Sequence, residues 1–469
     1  MIEVDMVAEF AAHEIEEAVS GNLLEGRRDI QAFGVSTDSR TLKAGELFIP
    51  IEGPNFDGHD FLEAALEAGA AGCLAVRGRL PQVPGNAFAV EVEDTLRALG
   101  DLARLHRSRF DVSVVAVTGS NGKTTTKEML GAILAEGGET LISKGNLNNL
   151  IGLPLQVFGL GPPHKRAVFE IGMNRPGEIC RLAEIAAPEV AVITSVAPAH
   201  LEGLGSIEAV RDAKGELLEA MGPEGVAVLP SDDLQCRILD DGFRAKGGRV
   251  LSFGLGPGSD AYATDIRMSA QDGISFRIHL HGEEAEVRLR ALGRQNVLNA
   301  LAAAAAASQL GSPLVAIARG IERAVLPAMR LSVEEIREEV FLLNDAYNAN
   351  PASVRLAIET LAELKGAGRA FAILGDMKEL GAYEEFAHVE IGRAVVSGKI
   401  DFLATVGPMM RYAALEALES GVGADWIEPC KTPEEAAAWT AKRLMPGDWV
   451  LIKGSRSMEM ERAVEALRG

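Results

Sequence analysis

Apolar residues follow two alternating rhythms along most of this chain: short unbroken runs, and longer stretches where they recur every three or four positions. Unbroken runs suit strands covered on both faces, and the longer rhythm suits amphipathic helices laid over them. The prediction is therefore an α/β chain in three domains. In the first block, residues 1–95, Val4 to Val19 reads as amphipathic. Residues 33–51 alternate strand and turn, with Gly45 closing a hairpin, and 60–76 read as a helix and a short strand. A helix over 94–110 leads into the second block, 96–326, which starts with the run Val112–Thr118. Strands are expected at Arg166–Ile171, Val190–Ser195 and Gly225–Leu229, with helices ending near Ala187 and spanning Ser206–Met221. A smaller antiparallel set is expected at Tyr262–Ile266, Ile274–His281 and Ala285–Arg290, before helices at Asn296–Gln309 and Pro313–Ala324.

The third block, 327–469, returns to the strand–helix alternation of a Rossmann-like, doubly wound domain. Its strands are expected near Phe341–Asn344, Ala370–Leu374, Asp401–Thr405 and Trp449–Ile452. Helices are expected near Pro351–Leu364, Glu384–Val396, Met410–Glu419, Pro433–Leu444 and Arg456–Leu467. The alanine-rich run from Ala300 to Ala307 reads as a helix interior rather than a membrane span.

Charge narrows the class. A net charge of −21 argues against nucleic acid or anionic membrane as a partner, so an anionic ligand must be met by local Lys, Arg and backbone N–H groups. The four cysteines are scattered without a C-x-x-C pair, which suggests neither zinc nor a disulfide framework. No basic leader with an apolar core opens the sequence, and no apolar run reaches membrane length, so the expectation is a cytoplasmic protein without membrane insertion.

Chemistry concentrates after the Val112–Thr118 run. Gly119, Ser120, Asn121, Gly122, Lys123, Thr124 and Thr125 form a glycine turn that opens a helix. Glycines let backbone N–H groups converge on an anion, Lys123 adds charge, and Thr124 offers a hydroxyl to magnesium. A purely structural turn would account for the glycines but not for Lys-Thr-Thr. Only two residues separate the glycines, against four in the standard phosphate loop. Glu170 ends an apolar strand, where a carboxylate needs a metal or a basic partner. His200 follows the next strand as a metal-shell residue or a hydrogen-bonded structural one. Lys214 stands on the helix after it, read equally as a solvated lysine. Asn146, Asn148 and Asn149 either brace a loop or meet a polar ligand. Asn296 and Asn299 begin a helix as caps or ligand contacts. Asp345 and Asp376 close strands as ribose or metal contacts or as loop caps. Lys453 to Arg456 form a second anion-receptive helix start.

Taken together, these segments resemble the muramoyl peptide ligases of bacterial cell-wall synthesis. TGSNGKTT (118–125) is common to that group and to folylpolyglutamate synthetases. KGNLNNLIGLP, EIGMNRPGEI, AHLEGLGS, DAYNANP and GDMKELG point to its D-alanyl-D-alanine-adding branch, and the match runs from STDSR (36–40) to KGSRSMEME (453–461). The shortened glycine loop is the family's own form. The resemblance implies ATP and Mg2+ as cofactors and UDP-N-acetylmuramoyl-tripeptide and D-alanyl-D-alanine as substrates; a monomer is the default expectation. It implies that an acyl phosphate forms on the peptide carboxylate and is attacked by the dipeptide amine. Ser36, Asp38 and Ser39 match UDP-side positions. Thr124 and Glu170 match a first metal site, His200 a second, and Lys214 a lysine that becomes a metal ligand when carbamylated. Asn296 and Asn299 match adenine-side contacts, Arg330 a phosphate contact and Asp345 a ribose contact. Asn348, Lys378, Lys453, Ser455 and Arg456 match the acceptor side. Gln295 replaces a histidine frequent in the family, and Tyr347 a lysine of some relatives. The alternatives are a lysine- or diaminopimelate-adding or folylpolyglutamate ligase, or a nucleotide-gated interaction protein without ligase chemistry.

Overall fold

The computed structural model describes residues 8–468, so the first part of the amphipathic stretch expected from Val4 lies outside them. The Val/Ala run folds as the strand Ser113–Thr118, buried except at its first residue. It sits between the parallel strands Arg166–Glu170 and Val190–Ile193. This position explains the unbroken apolar run, because both faces of the strand are covered. The sheet has nine strands, in the order Glu283–Leu289, Gly273–Leu280, Ala261–Ser269, Arg249–Gly254, Val226–Pro230, Val190–Ile193, Ser113–Thr118, Arg166–Glu170 and Thr140–Ile142. The expected antiparallel set is present, but it extends the parallel sheet: Ala261–Ser269 runs parallel to Arg249–Gly254 before the direction reverses.

The helix Arg294–Gln309 carries the alanine run, and Ala300 to Ala307 are all fully buried. Their short side chains share one apolar cluster with Met129, Leu130, Ile133 and Leu134 of the helix Lys123–Ala135 and with the sheet strands. The helix that begins at the glycine turn is therefore packed against the alanine helix.

The first block contains a five-stranded sheet, Asn22–Glu25, Phe88–Val92, Gly72–Val76, Leu47–Phe48 and Val35–Ser36, plus a strand pair Glu9–Ala11 with Gln31–Phe33. The described part of the amphipathic Val4–Val19 stretch is the strand Glu9–Ala11 followed by the helix Ala12–Ala18. One expectation is corrected here. Gly45 has the positive φ of a turn (90°), but the strands on either side, Val35–Ser36 and Leu47–Phe48, pair in parallel rather than as a hairpin.

The third block is a six-stranded sheet, Ser332–Arg337, Val340–Asp345, Trp449–Lys453, Ala370–Gly375, Phe402–Val406 and Ile427–Cys430, parallel except for its first pair. The helices Pro351–Leu364 and Met410–Glu419 occupy the expected spans. The expected last helix is divided: a 3-10 turn at Arg456–Met458 precedes the helix Glu461–Arg468. No helix among the described residues is long and apolar enough to cross a membrane.

Candidate active site

The carboxyl ends of the central strands open into a cavity of about 540 Å³. Its floor is the glycine turn. Gly119 and Gly122 have φ of 144° and 83°, and a Cβ there would lie 2.0 Å from Thr194 Oγ1 and 2.2 Å from Asn299 Oδ1. Both positions therefore need glycine for conformation and for space. The turn is braced by the neighbouring strand end: Ser120 N donates to Ser195 O at 2.9 Å and Asn121 N to Ser195 Oγ at 3.1 Å. Ser120 Oγ donates to Ala197 O at 2.9 Å.

Lys123 Nζ donates back to Gly119 O at 2.8 Å. Burial pushes its ammonium below the usual lysine range, with Glu170 opposing the shift and Arg330 adding to it. A desolvated cation at a glycine turn that opens a helix is arranged to meet a polyanion, which would restore the solvation it lacks. Thr124 Oγ1 accepts from Arg330 Nη2 at 3.2 Å, and the Arg330 guanidinium lies 4.2 Å over the Tyr347 ring.

Glu170 is buried, and its partner is an amide rather than a base. Asn148 Nδ2 donates to Oε1 at 2.7 Å, while Oε2 is buried without a hydrogen-bond partner. An orphaned carboxylate oxygen at a cavity that also holds a threonine hydroxyl suits a hard cation. No group of three or more His, Cys, Asp or Glu side chains able to hold a metal forms among the described residues. That sparse donor set fits magnesium, which usually keeps water and substrate oxygens around one or two protein carboxylates. Lys214 is buried on the helix Ile207–Met221 and makes no ion pair with a described residue. Burial, and then the Lys123 charge, hold it well below the usual lysine range, and the side chain lines the cavity.

The third domain forms the roof. Asn350 caps the helix Pro351–Leu364 through Ser353 N, and its Nδ2 donates to Asn121 Oδ1 of the glycine turn at 2.8 Å. Asp345 is buried at a strand end: it accepts from Leu331 N at 3.2 Å and pairs with Lys453. Burial pushes its carboxyl up against the opposing charges of Lys453 and Arg330. Lys453 also donates to Asn348 O at 2.9 Å. His200 Nδ1 pairs with Glu379 Oε2 of the third domain at 2.8 Å.

Of the sequence-derived residues, the cavity gathers Gly119 to Thr125, Asn146, Asn148, Asn149, Glu170, His200, Lys214, Asn296, Asn299, Arg330, Asp345, Asn348 and Lys453. Neither Asn296 nor Asn299 is the cap of its helix, which is Gly293. Asn296 Nδ2 donates to Leu292 O at 2.7 Å, and Asn299 Nδ2 to Asn296 Oδ1 at 3.2 Å. Asn149 Oδ1 accepts from Gly152 N at 2.8 Å and so braces a helix start.

Ser36, Asp38, Ser39, Lys378, Ser455 and Arg456 do not line the cavity. Ser36 Oγ donates to Asp38 O at 3.0 Å, and Asp38 pairs with Arg40 at 2.6 Å, which holds its carboxyl below the usual range. Lys378 pairs with Asp376 at 2.9 Å, Ser455 Oγ accepts from Lys378 N, and Arg456 pairs with Glu461. Asp376 is a loop cap: its Oδ1 accepts from Met409 and Met410 N at 3.0 and 2.8 Å. Sequence reasoning missed Asn350 and Glu379. Asn350 stands before Pro and three residues ahead of Ser353, a capping signal that marks the helix start but not its distant partner.

Three family models match consecutive stretches: Mur ligase family, catalytic domain (32–107), Mur ligase middle domain (117–307), and Mur ligase, glutamate ligase domain (329–456). The chain is 36% identical over 454 residues to the UDP-N-acetylmuramoyl-tripeptide–D-alanyl-D-alanine ligase of Bacillus subtilis (strain 168), covering 97% of both chains. It is 37% identical to the enzyme of that name from Escherichia coli (strain K12), over 94% of both. The crystal structure I of MurF from Acinetobacter baumannii superposes with a TM-score of 0.89 at 31% identity, covering 98% of this chain and 99% of that one. The MurF ligase from Thermotoga maritima in complex with ADP gives 0.82 at 29%, covering 93% and 97%. The glycine turn, the orphaned carboxylate and the third-domain roof thus stand in a chain that belongs to the Mur ligase family.

Proposed function

We propose that this ATP-dependent peptide ligase joins D-alanyl-D-alanine to the terminal carboxylate of UDP-N-acetylmuramoyl-tripeptide, giving the UDP-linked pentapeptide, ADP and phosphate. The observation that carries the reading is the desolvated Lys123 and the orphaned Glu170 oxygen facing one cavity under a roof from another domain. The names of the full-length relatives supply the substrate class. In this reading residues 1–95 hold the UDP moiety, 96–326 the nucleotide and 327–469 the acceptor, and the chain acts as a cytoplasmic monomer.

The peptide carboxylate attacks the γ-phosphorus, ADP leaves, and an acyl phosphate forms. The dipeptide amine then attacks the acyl carbon, loses a proton and expels phosphate. An anion attacking a phosphate anion needs charge placed in advance, and Lys123, Arg330 and the start of the helix Lys123–Ala135 are already there. Thr124, Glu170 and His200 are the residues that would hold Mg2+, which supplies further neutralisation of phosphate charge when bound. Burial disfavours the charged form of Lys214, and the neutral amine is the form that would take up carbon dioxide to become a carbamate ligand. The roof excludes water, which would otherwise hydrolyse the acyl phosphate.

Incubation with ATP, UDP-tripeptide and either D-alanyl-D-alanine or single amino acids tests the assignment. Pentapeptide product with the dipeptide is expected, and product with a single amino acid alone would overturn it. Lys123→Ala should lower kcat by about 10²-fold or more, as loss of a positioned charge does in comparable sites. An unchanged kcat would remove the glycine turn from the chemistry.

A further inference from the structure

Two non-glycine residues face each other across the central and third domains with left-handed backbones: His200 at φ 57° and Glu379 at φ 64°. Histidine tolerates that region better than most residues, whereas glutamate rarely enters it. Their side chains meet at 2.8 Å, Nδ1 to Oε2, and Glu202 N donates to the Glu379 backbone carbonyl at 3.1 Å. Gly381, two residues on, is also at positive φ (55°) and faces the same loop, where a Cβ would make an ordinary contact 3.4 Å from Glu202 Cα. Two loops of unusual conformation thus dock through a backbone bond and present one carboxylate to one ring.

Stability does not account for the pair. The Glu379 side chain is 61% exposed, and an exposed ion pair adds little to folding. Orientation does account for it. A carboxylate accepting from Nδ1–H fixes the neutral ring in the tautomer whose lone pair is on Nε2, and His200 lines the cavity. From this we infer that Glu379 is the positioning residue for His200: the third domain, on docking, sets the tautomer and aim of a central-domain imidazole. The inference rests on the proposed role of His200 in the ligase reaction. It gives the docked third domain a second task besides roofing the cavity, because ring and carboxylate come from different domains.

The test uses the full-length chain with ADP, 15N-labelled at histidine, with the His200 signals assigned by their loss in His200→Asn. Wild type should show the Nδ1-protonated pattern. Glu379→Ala should lose that pattern and lower kcat by about 10- to 100-fold, the usual cost of removing a partner behind a ligating histidine, with KM nearly unchanged. Glu379→Gln keeps an acceptor oxygen and should restore the pattern and most of kcat. The backbone bond to Glu202 survives in both variants, and matching thermal melts establish folding. Unchanged ring signals and kcat in Glu379→Ala would overturn the inference. So would a loss confined to KM, which would mark a simple tether. A fully active His200→Asn would sink the role of His200 in the reaction, while the ring signals would still report on Glu379 separately.

Discussion

The two seams of this molecule are built from opposite materials. Between the first and central domains, Phe10 packs on His106 and Phe158 at 5.9 and 6.0 Å. One apolar cluster runs without a break from Ala8 through the helix Thr95–Ser108 to Val250. Between the central and third domains the contacts that reach the glycine turn and its surroundings are polar: Asn350 to Asn121, Arg330 to Thr124 and Glu379 to His200. The third domain keeps most of its core to itself, in clusters on either side of its own sheet. A shared core opens only by unfolding, whereas a few hydrogen bonds exchange readily with water. The difference teaches that the first two domains behave as one body and that closure belongs to the third.

Substitutions at each seam should separate these behaviours. Phe158→Ala should cost about 3–5 kcal/mol in urea unfolding, the range for a buried aromatic, with kcat little changed. A stability loss confined to residues 8–95 would break the one-body picture.

His106 tests the same seam through pH. Burial pushes it down to about 4 from an ordinary 6.5, with Arg109 adding to the shift and its bond to Leu160 O opposing it. The unfolded chain therefore takes up the proton first as pH falls. Stability is fully present above about 6.5 and is lost as pH drops towards 4, on the order of 3 kcal/mol in all. His106→Phe should flatten that part of the stability–pH curve, and an unflattened curve would locate the acid sensitivity elsewhere. Smallest in stability is Asn350→Ala, expected to cost about 1 kcal/mol in melts while slowing turnover several-fold by releasing the roof from the glycine turn. Equal effects on the melting of both seams would erase the contrast.

Legibility in the sequence followed the distance over which each feature is made. The glycine turn was readable because strand, glycines, lysine and helix are contiguous. The helices Pro351–Leu364 and Ile207–Met221 were readable because Asn350 and Ser206 mark their starts. The strand Thr140–Ile142 was not, being three half-buried residues at a sheet edge. Arg249–Gly254 and the helix Leu234–Ala245 escaped because their apolar residues are few and partly exposed. Gly45 signalled a turn but carried no information about which strands pair. The Asn350–Asn121 contact spans 229 residues, and no local pattern encodes it. Arg456 and Lys378 match acceptor-side positions in the sequence, and each has a nearby carboxylate as partner that no local pattern announced.

The alanine helix has a further consequence, for what the chain can tolerate over time. Seven buried alanines, interrupted only by Leu301, make Arg294–Gln309 a spacer of fixed thickness, with few rotamers to absorb a change in volume. Asn299 sits one residue ahead of the run, with its Oδ1 over Gly122. One added methyl in the run would lift the helix and move that oxygen relative to the phosphate turn. The length of an alanine side chain is thus a gauge by which the site is set, and its sequence has little room to drift.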